Sequence, residues 1–191
     1  MSYLVRELKP TFERFTEPLV TFLQKIGATP NHITFAGLVL VAFGSLMLYV
    51  NEHLLGFVFL LLGALSDAID GSLARKLNKH SELGALLDSL FDRISDALPF
   101  MAIALSSEDR LISTVALFAL TFSYTVSYVR ARAEGLGYEL KVGLFERPER
   151  WFVLLFGVIT NLISVALVII AVGSFITTFQ RVYIFRKLTR R

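Results

Sequence analysis

Residues 67–92 read DAIDGSLARKLNKHSELGALLDSLFD and place four aspartates, Asp67, Asp70, Asp88 and Asp92, between long apolar stretches. The first pair is spaced i, i+3 and the second pair i, i+4, so each pair shares one face of a helix. The segment between the pairs is short, which favours two antiparallel neighbouring helices. This stretch therefore predicts two adjacent helices that bring four carboxylates together.

The four carboxylates need compensating positive charge if the two helices lie in a membrane. Each charged side chain within a span costs at least about 2.5–3.5 kcal/mol, and converging carboxylates also repel one another. Hard carboxylate oxygens favour divalent ions such as Mg²⁺ or Mn²⁺, and two such ions form a clamp for displacement at phosphorus. Gly71 and Gly84 carry no side chain, so a substrate could approach the backbone beside these acids.

Two other interpretations of the acids stay open from the residues alone. They could form structural ion pairs with Arg75, Lys76 and Arg93, or they could belong to the cation pathway of a transporter. Transporter acids are expected near the bilayer midplane on several helices, whereas these acids cluster at one end of two helices, which favours the metal site. Asp96 lies one turn beyond Asp92, and we expect it to pair with Arg93.

The composition indicates an all-α integral membrane protein. Of the 191 residues, 54% are hydrophobic and 18% are charged, and the apolar residues fall in long blocks. Soluble domains carry about 25% charged residues, spread more evenly. We expect one domain over residues 1–191, surrounded by the lipid bilayer, with no signal peptide and no nucleic-acid partner. The chain has no cysteine, so it holds no disulfide information.

Six transmembrane helices are predicted: about Ile33–Val50, Leu54–Ile69, Glu82–Leu105, Leu111–Val129, a short fifth at Glu149–Thr160, and Leu162–Tyr183. The last two divide an apolar stretch that is too long for one span of about 20 residues, and Thr160 and Asn161 offer a polar turn. Residues 1–30 read as amphipathic, because apolar residues recur every three or four positions, and are expected to lie at the interface. Pro10 and Pro18 are expected to start or kink helices there. Residues 31–191 form the bundle.

The distribution of positive charge predicts the orientation. All but two of the 19 Lys and Arg residues lie before the first span, at or after the end of the sixth, or in the loops and adjoining span ends on that same side. Arg110 lies in an opposite loop and Arg93 within a span. By the positive-inside rule, both termini and the cluster of aspartates should face the cytoplasm.

The stretch 67–92 has the form D-x-x-D-G-x-x-A-R, eight further residues, then G-x-x-x-D-x-x-x-D. This pattern resembles the signature of the CDP-alcohol phosphatidyltransferase family. The resemblance implies an enzyme of the cell membrane that transfers a phosphatidyl group from a CDP-linked lipid to an alcohol and releases CMP. It also implies six spans, cytoplasmic termini, an interfacial N-terminal helix and a homodimer.

The resemblance further implies residue roles. Asp67, Asp70 and Asp88 would ligate two divalent metals, Mg²⁺ or Mn²⁺, that hold the diphosphate of the donor. Asp92 would be the catalytic general base and also touch a metal. The residues that would contact the CDP-linked lipid are Gly71, Ala74, Arg75, Gly84, Asn31 and Thr34.

Residues 127–137, SYVRARAEGLG, and residues 146–150, ERPER, resemble the branch of the family that uses inositol phosphate. This branch contains phosphatidylinositol phosphate synthases and archaetidylinositol phosphate synthases. The residues that would bind the acceptor phosphate are Ser127, Arg130, Arg147 and Arg186. The implied acceptor is myo-inositol 1-phosphate, with glycerol 3-phosphate as the alternative acceptor. A cation-coupled membrane transporter is a distant alternative for the function as a whole. The sequence does not distinguish a diacyl from an archaeal diether lipid.

Overall fold

A computed structural model of the chain describes the backbone of residues 3–77 and 81–190, and the side chains of these ranges from residue 12 onward. Within these ranges there are seven helices and no strand: α1 Tyr3–Lys25, α2 Pro30–Tyr49, α3 His53–Leu77, α4 Glu82–Ser106, α5 Arg110–Gly135, α6 Arg147–Ile159 and α7 Ile163–Leu188. The all-α prediction is confirmed for these residues. Each of the six predicted spans corresponds to one helix, α2 to α7, although α3 and α5 continue well past their predicted ends.

Four of the described helices, α2, α3, α5 and α7, are long and apolar enough to cross a membrane. The helices of the other two predicted spans are not both long and apolar enough: α4 carries charged residues of the acidic motif, and α6 has 13 residues. Large apolar side chains point outward, among them Leu105 at 72% exposure and Phe152 at 68%. An apolar exterior suits lipid rather than water. The chain is therefore a membrane-embedded helical protein.

The helices α2 and α3 pack closely because glycines lie at their contact: Gly37, Gly44, Gly56 and Gly63. A Cβ at Gly44 would lie 2.8 Å from the backbone nitrogen of Leu60, and a Cβ at Gly63 would lie 2.5 Å from Cγ2 of Val41. Small residues of this kind let helix backbones approach in membranes. The packing fixes the acidic end of α3 beside the first turns of α2.

The helices α3 and α4 were predicted to be direct neighbours, and this prediction is only partly correct. Both helices pack mainly along α2, and they approach each other at the end that carries the acids. The glycines of α2 explain the difference, because they allow α2 to take the close position beside α3. At its start, α4 is capped by Ser81, whose hydroxyl accepts a hydrogen bond from the Gly84 amide at 3.0 Å.

The connection from α5 to α6 crosses α7 and is fastened to it. The Arg181 Nε donates to the Val142 carbonyl at 2.7 Å, and the Phe145 amide donates to the Thr177 hydroxyl at 2.9 Å. The Phe145 ring covers Gly173, where a Cβ would lie 2.7 Å from the ring. These contacts hold the start of α6 against α5 and α7.

The predicted turn between the last two spans is confirmed. The helix α6 ends at Ile159 and α7 begins at Ile163. Asn161 adopts a positive φ of 57°, a conformation that asparagine tolerates better than most residues.

The helix α1 continues through Pro10 and Pro18, so neither proline starts a new helix. A proline removes only one backbone donor, and the other hydrogen bonds of a 23-residue helix remain. On one side, Val20 is buried, while Phe15 and Phe22 on the other side are 88% and 58% exposed. Exposed aromatic side chains on one face of α1 agree with the apolar face that the sequence predicts for an interfacial helix.

Candidate active site

Three aspartates of α3 and α4 meet in what we term the acidic group: Asp67, Asp70 and Asp88. One carboxylate oxygen from each lies within 4.8 Å of the other two. Asp70 is only 5% exposed, and among the described residues its Oδ2 atom has no hydrogen-bond partner. A buried oxygen without a donor and two further carboxylates beside it form an all-oxygen donor set that suits a hard divalent cation. The residues therefore fit the metal that the sequence predicts.

Asp92 lies beside the acidic group and contacts arginines. Its Oδ1 atom is 3.0 Å from Nη1 of Arg147, and its Oδ2 atom is 3.6 Å from Nη1 of Arg93. The same Nη1 of Arg147 lies 2.7 Å from Oδ2 of Asp67. Arg147, at the start of α6, thus bridges an acid of α3 and an acid of α4. Asp92 is adjacent to the three-oxygen arrangement but does not belong to it.

Asp96 is buried and is bonded by three donors from α6. It accepts from Nε of Arg147 at 3.0 Å, from Nη2 of Arg150 at 3.0 Å and from Nε1 of Trp151 at 2.7 Å. The predicted ion pair between Asp96 and Arg93 is wrong. Arg93 contacts Asp92 on the more exposed side of α4, whereas Asp96 faces inward, where donors from α6 reach it.

Next to Arg147, a cavity of about 270 Å³ opens between α4, α5, α6 and α7, and we term it the arginine cavity. Five arginines line it: Arg93, Arg130, Arg147, Arg150 and Arg181. The lining also contains three acids, Asp92, Glu134 and Glu146. Since arginines outnumber acids, the cavity suits an anion, and guanidinium groups match the geometry of a phosphate.

The structure brings three of the predicted acceptor-binding residues, Ser127, Arg130 and Arg147, to the arginine cavity. It does not bring Arg186 there, since that residue is exposed near the end of α7. Arg181 lines the cavity instead. The two arginines are five residues apart, which turns their side chains by about 140° around the helix. Sequence reasoning missed Arg181, although an arginine inside a predicted span is itself a signal of a functional site.

Arg181 is 2% exposed and holds three parts of the chain together. Besides its bond to the Val142 carbonyl, it donates to the Val126 carbonyl at 2.6 Å and to Oε1 of Glu146 at 3.2 Å. By contrast, the partner of Arg130 in the described part of the chain is Glu134 of the same helix, at 2.9 Å, and the Arg130 side chain is 38% exposed. An exposed pair of this kind is weak and exchanges partners readily.

The residues predicted to contact the CDP-linked lipid occupy two different environments. Thr34 of α2 lines a small cavity together with Asp67 and Asp70. Gly71 is partly buried, and a Cβ there would lie 3.4 Å from Nη1 of Arg75, the end of a flexible side chain. These positions leave room beside the acidic group for a ligand.

The other predicted donor contacts are engaged within the chain. A Cβ at Gly84 would lie 2.8 Å from the Ser81 hydroxyl and 3.5 Å from the Asn31 side chain, so this glycine permits the helix cap. Ala74 is partly buried. Arg75 is 47% exposed and lies 2.7 Å from Glu13, which joins α3 to α1.

Comparison with known proteins gives consistent matches over almost the whole chain. The family model for CDP-alcohol phosphatidyltransferase matches residues 27–185. The archaetidylinositol phosphate synthase of Pyrococcus horikoshii is 35% identical over 181 residues, which covers 94% of this chain and 95% of that protein.

Solved structures of the phosphatidylinositol phosphate synthase of Mycobacterium tuberculosis match in fold as well. The structure with CDP-DAG bound has a TM-score of 0.81 at 32% identity and covers 90% of this chain and 94% of that one. The structure in complex with manganese and citrate also has a TM-score of 0.81, at 31% identity, and covers 89% and 88%.

Proposed function

Because this chain belongs to the CDP-alcohol phosphatidyltransferase family, we propose that it transfers a phosphatidyl or archaetidyl group from a CDP-linked lipid to myo-inositol 1-phosphate and releases CMP. The resemblance of residues 67–92 to that family is confirmed, and the chain is a metal-dependent membrane transferase of phospholipid biosynthesis. The observation that supports a phosphorylated acceptor is the arginine cavity, which adjoins Asp92.

The acidic group would hold two divalent ions, Mg²⁺ or Mn²⁺. When bound, such ions neutralise the diphosphate of the donor and stabilise the departing CMP. The close approach of three carboxylates supports this assignment, as does the Asp70 oxygen that has no partner within the described ranges. The manganese complex of the similar mycobacterial protein supports it as well.

Asp92 would be the catalytic residue that accepts the proton of the acceptor hydroxyl. It lies between the acidic group and the arginine cavity, in contact with Arg147, and so adjoins both substrates. A general base must lie within hydrogen-bonding reach of the proton it removes, and a position between two substrate sites satisfies that requirement.

The acceptor phosphate would be bound by Ser127, Arg130 and Arg147, which share the cavity wall. Arg181 would act as a positioning residue, because it donates hydrogen bonds to Val142, Val126 and Glu146 of the chain itself. Glycerol 3-phosphate remains the second candidate, since the same arginines would bind its phosphate. A cavity of about 270 Å³ has room for the inositol ring. The names of the similar proteins favour inositol phosphate as well.

On the donor side, the nucleotide and diphosphate would lie against the motif and the start of α2. The proposed contacts are Gly71, Ala74, Arg75, Gly84, Asn31 and Thr34. The position of Thr34 beside the acidic group supports this location, and near Gly71 the neighbour is the movable end of Arg75. For Arg75 to contact the donor, its guanidinium would exchange Glu13 for the ligand, and its 47% exposure permits this.

The proposed topology has a single domain, six spans formed by α2 to α7, and α1 at the interface. Both termini and the active site would face the cytoplasm, where the basic residues cluster. At this depth, a donor can keep its tails in lipid while its nucleotide lies at the membrane surface. We also propose a homodimer, as the family resemblance implies.

A product assay tests the acceptor. The full chain, solubilised in detergent, is incubated with Mg²⁺ or Mn²⁺, a diacyl or diether CDP-lipid, and labelled myo-inositol 1-phosphate or glycerol 3-phosphate. We expect metal-dependent CMP release and a labelled lipid product with inositol phosphate. A product with glycerol phosphate alone would replace the acceptor assignment, and cation flux in liposomes without CDP-lipid would favour a transporter.

A further inference from the structure

Arg147 is the residue through which the acidic group and the arginine cavity touch. Its Nη1 atom lies 2.7 Å from Asp67 and 3.0 Å from Asp92, and its Nε atom lies 3.0 Å from Asp96. One guanidinium on α6 therefore neutralises acids from both α3 and α4. The same side chain lines the arginine cavity, so it can act in either region.

The two regions make incompatible demands on this guanidinium. Asp67 is a proposed metal ligand, and the oxygen that accepts from Arg147 cannot also ligate a divalent ion at full strength, because the two cations repel each other. An anion in the cavity attracts the guanidinium in the opposite direction. A cation in the acidic group would therefore repel Arg147 from Asp67, and a phosphate in the cavity would attract Arg147 away from it.

Asp96 provides a fixed point for this movement. It is 6% exposed and lies outside the acidic group, and it is also held by Arg150 and Trp151. Its contact is with Nε of Arg147, nearer the backbone, whereas the contacts with Asp67 and Asp92 use the terminal Nη1. The terminal nitrogen can change partners while the Nε bond persists.

We propose that Arg147 is an exchangeable counter-ion that neutralises Asp67 and Asp92 before the metal binds and is released by the metal to the acceptor phosphate. This inference rests on the metal and acceptor sites of the proposed function. It makes the two binding events mutually dependent, because each removes the same competing contact. The high-affinity site for the acceptor phosphate then forms only when the metal is in place.

The test measures binding rather than turnover. Mn²⁺ alone is titrated into the metal-free, detergent-solubilised full chain, with free Mn²⁺ followed by electron paramagnetic resonance, in the absence and presence of sulfate as a dianion probe. We expect Arg147→Gln to bind Mn²⁺ about tenfold more tightly than the wild type without sulfate, since a competing charged hydrogen bond is gone. Sulfate should tighten Mn²⁺ binding in the wild type and do so much less in this variant.

Arg130→Gln is the matched control, because Arg130 lines the same cavity and pairs with Glu134 rather than with the acidic group. It should weaken sulfate binding and leave the Mn²⁺ affinity without sulfate within about twofold of the wild type. An equal gain in Mn²⁺ affinity for both variants would reduce the effect to general charge and overturn the exchange.

The remaining outcomes also decide the question. Equal or weaker Mn²⁺ binding by Arg147→Gln overturns the exchange but leaves the proposed function intact. A wild type that binds no Mn²⁺ overturns both. If Arg147→Gln does not fold, Arg147→Lys replaces it. Lysine keeps the charge but cannot contact Asp67, Asp92 and Asp96 together, so a smaller gain in Mn²⁺ affinity is expected, and no gain rejects the exchange.

Discussion

The acidic group and the arginine cavity are adjacent, yet they are built in opposite ways. The acidic group comes from one contiguous stretch, and its most buried member, Asp70, has an oxygen without a partner among the described residues. The arginine cavity is assembled from four helices, and its arginines are paired within the chain: Arg130 with Glu134, Arg150 with Asp96, and Arg181 with Glu146. In the acidic group, Asp67 pairs with Arg147, but the buried Asp70 oxygen has no partner in the described part of the chain. Each of these three arginines of the cavity, by contrast, has an acid of the chain beside it.

Asp92 lies where the two regions meet, and its replacement should have the largest effect. We expect Asp92→Asn to lower turnover by about 10²–10⁴-fold, because an amide cannot accept the proton of the acceptor hydroxyl. Mn²⁺ binding should persist, since the acidic group is intact. The measurements are CMP release at saturating substrates and Mn²⁺ titration.

The control for this variant is Glu108→Gln, which removes an exposed carboxylate from the loop between α4 and α5. It should change turnover by less than about twofold. Turnover of Asp92→Asn within tenfold of the wild type would contradict the assignment of the base.

Asp96 tests the arginine cavity, because it is the acid that pairs with Arg150 of the cavity wall. Asp96→Asn leaves Arg150, 3% exposed, without its carboxylate, and breaking such a buried pair costs about 3–5 kcal/mol. We therefore expect a clearly lower unfolding temperature in EDTA, measured by circular dichroism at a fixed scan rate. An unfolding temperature equal to that of the wild type would show that the pair adds no stability.

If the acidic group is a cation site, replacing Asp70 should not lower the unfolding temperature in EDTA, in contrast to replacing Asp96. Asp70→Asn should unfold in EDTA at the wild-type temperature or above it, because it removes a buried charge without a full set of partners. Saturating Mn²⁺ should stabilise the wild type, by about 2.7 kcal/mol at 100 times Kd, and should not stabilise the variant. A variant that is destabilised in EDTA yet still gains from Mn²⁺ would exclude Asp70 as a ligand.

The difference between the regions also explains what could be predicted from the sequence. The convergence of Asp67, Asp70 and Asp88 follows from helical spacing and a short connection, so it is encoded within residues 67–92. The helices α2 to α7 follow from apolar blocks with polar or turn residues between them. These are local properties, and local physics is enough to derive them.

Partners from distant parts of the chain could not be derived in this way. Asp96 takes its donors from α6, more than fifty positions away, whereas spacing alone suggested the neighbour Arg93. Likewise, the glycines of α2 and α3 are visible in the sequence, but which helix packs against them depends on the whole packing arrangement. Pairing of this kind is a tertiary property that no single segment contains.

The smallest effect is expected from the comparison of two arginines on α7. Arg181→Lys should raise the KM for the acceptor about tenfold with a smaller change in kcat, because lysine cannot bond Val126, Val142 and Glu146 together and the cavity wall shifts. Arg186→Lys should change the KM by less than about twofold, since its side chain is exposed and outside the cavity. Kinetics with varied acceptor at fixed CDP-lipid measure both variants. A larger effect at Arg186 than at Arg181 would mean that the acceptor phosphate reaches the end of α7 and that the arginine cavity is not its site.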